Sequence, residues 1–194
     1  MSKVNFNLDK KQAWLILAIA ILFVVFGFAM RLLPHPPNFT PIGAIALFGA
    51  LYLPRKFALV IPLGAMLVSD AIIGFYSWPI MLAVYAGFAA MVGIGLLVRK
   101  HKRFSTVLGG TIAGSLTFFL ITNFAVWAFG SLYAPTLSGL VQCYYMALPF
   151  LRNTLAGDLF YVGVLVGAVE LVFLLGRYFY CLRLFKYEYR EISK

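Results

Sequence analysis

The chain has 194 residues, 63% of them hydrophobic and 11% charged, with a net charge of +10. Soluble domains carry about a quarter charged residues, so this composition excludes one, and the apolar runs leave no length for a soluble catalytic domain. In a soluble protein such a basic balance would point to nucleic acid. Here the placement of the basic residues accounts for it, and nucleic acid is excluded as a partner.

Six apolar runs predict an all-α integral membrane protein, a six-helix bundle in a single membrane domain over 1–194. The spans fall at about 13–30, 42–53, 57–74, 79–98, 107–129 and 155–180. Lys3, Lys10 and Lys11 precede the first run, and Arg55 and Lys56 follow the second. Arg99, Lys100, Lys102 and Arg103 follow the fourth; Arg177, Arg183, Lys186, Arg190 and Lys194 close the chain. Only Arg31 and Arg152 lie elsewhere. Cationic segments resist translocation, so this alternation puts both termini in the cytoplasm of a cell whose inner membrane the chain crosses. Anionic lipid on the inner face complements the charge.

The first run, from Ala13 to Met30, is longer than the roughly 7–15 residues of a signal-peptide core. No small-residue cleavage site follows it, so it reads as a retained helix. The second run is too short: twelve helical residues rise about 18 Å, against a hydrocarbon core of about 30 Å. It must be continued by the irregular segment before it, Pro34-His-Pro-Pro-Asn-Phe-Thr-Pro41. Irregular backbone at membrane depth survives only against protein or a wet cavity, so this segment is a candidate site wall. Thr40 followed by Pro41 reads as an N-cap with proline at the first helical position. That would aim the positive end of the second helix at an anionic or carbonyl group.

Ser77 with Pro79 is predicted to cap the fourth helix, and Asn153 or Thr154 the sixth. The connection 130–154 is apolar and aromatic, so it is expected to form an amphipathic or re-entrant helix over the outer face. Small residues four apart, such as Ala46 and Ala50, Ala86 and Ala90, Gly110 and Gly114, and Gly163 and Gly167, allow close helix approach. Cys143 and Cys181 fall on opposite sides of the membrane, cannot pair, and read as small apolar fillers.

The costly polar groups gather at the outer end. Asp70 stands about 20 Å up the third helix. Asn123 and Trp127, four apart, share a face of the fifth helix at a similar depth. Asp158 opens the sixth, and Arg31 and Arg152 flank the helix ends. With His35, Asn38, Thr40, Tyr76 and Trp78 they outline an outward vestibule. One reading is structural, with ion pairs such as Arg31–Asp70 and Arg152–Asp158. The other adds a small polar ligand that borrows these groups, in an apolar pocket with few convergent polar groups. Gly163, Gly167 and Glu170 share a stripe, which predicts a close helix contact with Glu170 satisfied by Thr111 or Thr117, or a coupling role for the acid.

No motif of a hydrolase, metalloprotease or phosphate-binding loop occurs, so catalysis, a metal site and a resident cofactor are not expected. The run Arg31-Leu-Leu-Pro-His-Pro-Pro-Asn-Phe-Thr-Pro-Ile-Gly-Ala-Ile-Ala-Leu-Phe-Gly49 resembles the signature of a widespread family of uncharacterised bacterial membrane proteins. Ser69-Asp-Ala-Ile-Ile-Gly-Phe75, Thr122-Asn-Phe-Ala-Val-Trp127 and Ala147-Leu-Pro-Phe-Leu-Arg-Asn-Thr-Leu-Ala-Gly-Asp158 extend the resemblance over nearly the whole chain. That family is in turn similar to the substrate-binding S components of energy-coupling factor (ECF) transporters. The resemblance implies six helices, capture of a small molecule from outside, and association with a T subunit and two ATPases. S components often dock that partner through Ala-x-x-x-Ala in helix one; here helix one has Ala18-Ile-Ala20, and Ala46 and Ala50 lie on helix two. A solitary facilitator and a purely structural membrane protein are the alternatives.

Overall fold

The computed structural model describes the backbone of residues 10–192, and the side chains of residues 18, 21–171, 174 and 175. Lys3, the side chains of Lys10 and Lys11, and those from Arg177 to Lys194, including Cys181, lie outside this description. Among the described residues the secondary structure is helical throughout. Its elements are α1 (Lys10–Leu32), α2 (Ile42–Tyr52), α3 (Arg55–Ile73), α4 (Trp78–Val98), α5 (Phe104–Phe129) and α6 (Leu137–Ile192), with a short 3-10 turn at Arg99–His101.

Four stretches are long and apolar enough to cross a membrane: Arg55–Ile73, Trp78–His101, Phe104–Phe129 and Leu137–Leu171. Helices are the natural answer to such sequences, because each satisfies its own backbone where no water is available. The exposed surface is correspondingly apolar, with Val60, Ile72, Leu97, Leu120 and Val164 all turned outward.

α2 is the hub. Its eleven residues rise about 16 Å, and every residue from Ile42 to Leu51 is buried. A helix apolar on all faces belongs in an interior, and α3, α4 and α6 pack around this one. Small residues set the distances: a Cβ on Gly95 of α4 would lie 2.6 Å from the Ala50 Cβ. The pair Ala46 and Ala50 is therefore an internal packing surface.

Several expectations about helix ends are corrected. Pro41 occupies the N-cap position of α2, with helical backbone angles and no side-chain capping bond, so Thr40 does not cap. Ser77 occupies the N-cap position of α4 but its side chain makes no capping bond. The largest correction concerns α6, a continuous helix of 56 residues that absorbs most of the expected outer connection. Only residues 130–136 link it to α5. Pro149 lies inside it, where proline removes a single backbone donor, a loss that packed apolar helices tolerate. Thr154 donates back to the Phe150 carbonyl at 2.9 Å instead of starting a new helix. Asn153 donates to the Pro37 carbonyl at 3.0 Å.

That last bond shows how the α1–α2 connection is held. Pro36 to Phe39 forms a turn closed by Phe39 N–H to the Pro36 carbonyl at 3.0 Å. Asn38 takes a φ of 63° within it. Proline followed by asparagine suits a turn that needs a left-handed third residue. Phe39 then packs on Tyr161 of α6, with ring centroids 5.6 Å apart. Gly157 allows this approach, since a Cβ there would lie 3.3 Å from the Phe39 backbone.

Candidate functional site

A cavity of about 430 Å³ lies beside the N-terminal end of α2. The α1–α2 connection supplies His35, Asn38 and Thr40 to its wall. α1 supplies Arg31, α5 supplies Thr122 and Asn123, and α6 supplies Thr154 and Asp158. Apolar and aromatic side chains make up most of the rest, among them Met66, Phe88, Met91, Phe118 and Phe150. The exposed residues Asn38, Ile73 and Tyr76 stand at its mouth. The predicted wall segment thus does face a cavity.

Arg31 and Asp70 form an ion pair of 2.8 Å, with the Asp70 side chain 1% exposed. Tyr85 of α4 donates its hydroxyl to the second Asp70 oxygen at 3.0 Å. Ser69 holds the same Arg31 nitrogen and donates back to the Ala65 and Met66 carbonyls. Asp70 therefore stands behind Arg31, outside the cavity lining, and fixes the guanidinium that does line it. Tyr85 and Ser69 complete this arrangement. Ser69 is adjacent to Asp70 in the chain, whereas Tyr85, fifteen residues on, carries no local signal of this role.

Asp158 is 3% exposed. Ser115 of α5 donates to its Oδ2 at 2.6 Å, and its Oδ1 lies against Gly43 in the first turn of α2. A Cβ at Gly43 would collide with that oxygen, so glycine is what lets the carboxylate approach. The expected pairing of Asp158 with Arg152 is overturned. Six residues along one helix turn the two side chains about 120° away from each other. Arg152 is exposed on α6 and does not line the cavity. Among the described residues the ion pairs are Arg31–Asp70 and Lys102–Glu170.

Asn123 lines the cavity and donates to the Phe119 carbonyl of its own helix at 2.8 Å. Trp127 is not in the lining: its indole N–H donates to the Ala134 carbonyl at 3.0 Å, clasping the α5–α6 connection. Trp78 is 67% exposed and also stands outside. His35 Nδ1 lies 2.6 Å from the Leu33 carbonyl, which can only accept, so Nδ1 is the donor there. Tyr76, in the α3–α4 connection, has its phenol pKa raised, first by desolvation of its covered part and then by the Asp70 charge, while Arg31 opposes.

The basic end of the bundle is organised separately. Glu170 accepts from Lys102 Nζ and from the Tyr52 hydroxyl, each at 2.7 Å. Lys102 also lies over the Tyr52 ring at 4.2 Å. Neither Thr111 nor Thr117 serves Glu170, since each donates to a carbonyl one turn back on α5. Gly163 and Gly167 make no close helix contact among the described residues either, because a Cβ at either would meet nothing there within 4 Å. Both line an open groove between α5 and α6, together with Lys102, Phe104, Val107 and Glu170.

Among the described residues, fold and cavity together define a helical protein with four helices long and apolar enough to cross a membrane, and a mainly apolar cavity that holds a few polar groups. Residues 9–186 match the family of unknown function DUF6580, and the chain belongs to that family. No curated protein and no solved structure matches the chain.

Proposed function

We propose that the protein is a substrate-binding membrane subunit, resembling the S components of ECF transporters, that captures a small polar or amphipathic molecule in the α2-side cavity. In this reading α1 and α2 complete a set of six spans in the inner membrane, with both termini cytoplasmic and the cavity facing outward. The observation that carries it is the cavity wall: mostly apolar, with Arg31 and Asp158 brought to it from distant helices. Buried ionisable groups among membrane helices are costly and mark functional sites by default, and a mainly apolar pocket with few polar groups is how small-molecule sites are built. The reading assigns no reaction to the chain.

If an energised T subunit and ATPases join it, they use a surface other than Ala46 and Ala50, which α2 buries. Transport in proteoliposomes without ATP would assign a solitary facilitator instead. The structural alternative has its own support in the Arg31–Asp70–Tyr85 group, where both carboxylate oxygens are engaged within the protein.

The test is native mass spectrometry of protein purified gently from its own membranes. A retained small molecule, lost from a folded variant with Phe118→Trp filling the cavity, supports capture. Protein that carries no small molecule in several mild detergents, and binds none from a metabolite extract, moves the assignment to the structural alternative.

A further inference from the structure

By sequence alone, the positive end of α2 is free for an anionic or carbonyl group of a ligand. In the structure the protein's own carboxylate stands there. Asp158 Oδ1 lies against Gly43, the second residue of α2. A helix N-terminus carries roughly half a unit of positive charge, so α2 offsets only part of a carboxylate.

The remaining partners of Asp158 are few. Among the described residues only Ser115 donates to it, and only to Oδ2. Every fully buried side-chain oxygen and nitrogen among those residues has a partner. Oδ1, which meets no donor, therefore reaches the cavity surface. The other charged group of the lining, Arg31, is already neutralised by Asp70. The cavity is thus a mainly apolar, aromatic chamber with one carboxylate oxygen lacking a donor.

We infer that Asp158 is the acceptor for a cationic nitrogen, so that the ligand class is a small molecule carrying a protonated amine or amidine on a planar or apolar body. This assignment rests on the cavity being a binding site, as proposed above. A charge-assisted hydrogen bond to a desolvated carboxylate supplies the selectivity. Phe88, Phe118 and Phe150 supply the faces against which an apolar body and a cation pack.

Three probes that share a benzene ring and differ only in the head group separate the possibilities: benzamidine, benzamide and benzoate. Their binding to the full chain in lipid nanodiscs is read by ligand-observed NMR and calorimetry. The expected order is benzamidine, benzamide, benzoate, with about a tenfold preference for the cation over the neutral amide. Asp158→Asn should reduce that preference below about twofold while thermal unfolding stays cooperative. The wild-type order is decisive even if the variant does not fold. Benzoate binding tightest would place the ligand head on Arg31 and overturn the assignment, leaving the cavity's binding role intact. Equal binding of all three would overturn it in the same way. Binding of none would overturn this assignment and leave the capture reading to the native mass spectrometry described above.

Discussion

The two ion pairs among the described residues have nearly the same length, 2.8 Å for Arg31–Asp70 and 2.7 Å for Lys102–Glu170, yet they do different things. In the first, the side chains are 17% and 1% exposed; in the second, 34% and 50%. Taking a charge out of water is expensive, and removing one member of a buried pair leaves the other uncompensated. An exposed pair has solvent as an alternative partner and contributes little. Separation alone is therefore no measure of importance; the surroundings decide. The buried pair, braced by Ser69 and Tyr85, holds Arg31 at a cavity wall. The exposed pair joins α6 to the connection after α4 at the basic end.

That contrast can be broken or sharpened by substitution. The largest effect is expected from Asp70→Ala, which strands the Arg31 guanidinium and should cost about 3–5 kcal/mol. Thermal or denaturant unfolding in detergent measures it. Replacing both partners, Arg31→Met with Asp70→Leu, should recover most of that loss, because no unpaired charge remains. A single variant as stable as the wild type would show that the pair is not the desolvated one the burial implies.

Next in size is the support around Asp158. Ser115→Ala removes its one hydrogen-bond donor and should cost about 1–3 kcal/mol. Gly43→Ala should cost about 1–3 kcal/mol through overpacking, because the new methyl would strike the Asp158 carboxylate and lie 2.8 Å from the Met91 methyl. Gly163→Ala and Gly167→Ala provide the opposing control. A Cβ at either would meet nothing within 4 Å among the described residues, so each should gain about 0.5–1 kcal/mol from helix propensity alone. If they destabilise as Gly43→Ala does, the α5–α6 groove is closed in the membrane by something that packs there.

The smallest effect is expected at the exposed pair. Glu170→Gln keeps an acceptor for Lys102 and Tyr52 and should change stability by less than about 1 kcal/mol. A loss as large as that of Asp70→Ala would abolish the distinction between the two ends.

Much of this was legible in the amino-acid order. The apolar runs located every helix from α1 to α5 within a few residues, because a membrane-spanning helix needs a long unbroken apolar stretch and little else. The shortness of α2 and the proline-rich segment before it pointed to a wall, and His35, Asn38 and Thr40 do line the cavity. Arg31 and Asp70 were paired correctly because a buried acid demands a cation and few were available at that depth. Helix six was begun too late because Asn153 or Thr154 reads as a cap, whereas Thr154 donates back into a helix already under way.

The sequence by itself determined the class of fold, the helix order and the set of polar groups that had to be buried, because composition and hydrophobic length are local properties. Beyond the Arg31–Asp70 pair, the tertiary structure alone decided partners. Asp158 meets Ser115 and Gly43, while Arg152 turns outward. Trp127 clasps a connection, and Glu170 reaches Lys102 and Tyr52. These choices depend on the rotation of each helix about its axis and on which small residue permits an approach. Packing sets both, and no stretch of sequence encodes them on its own.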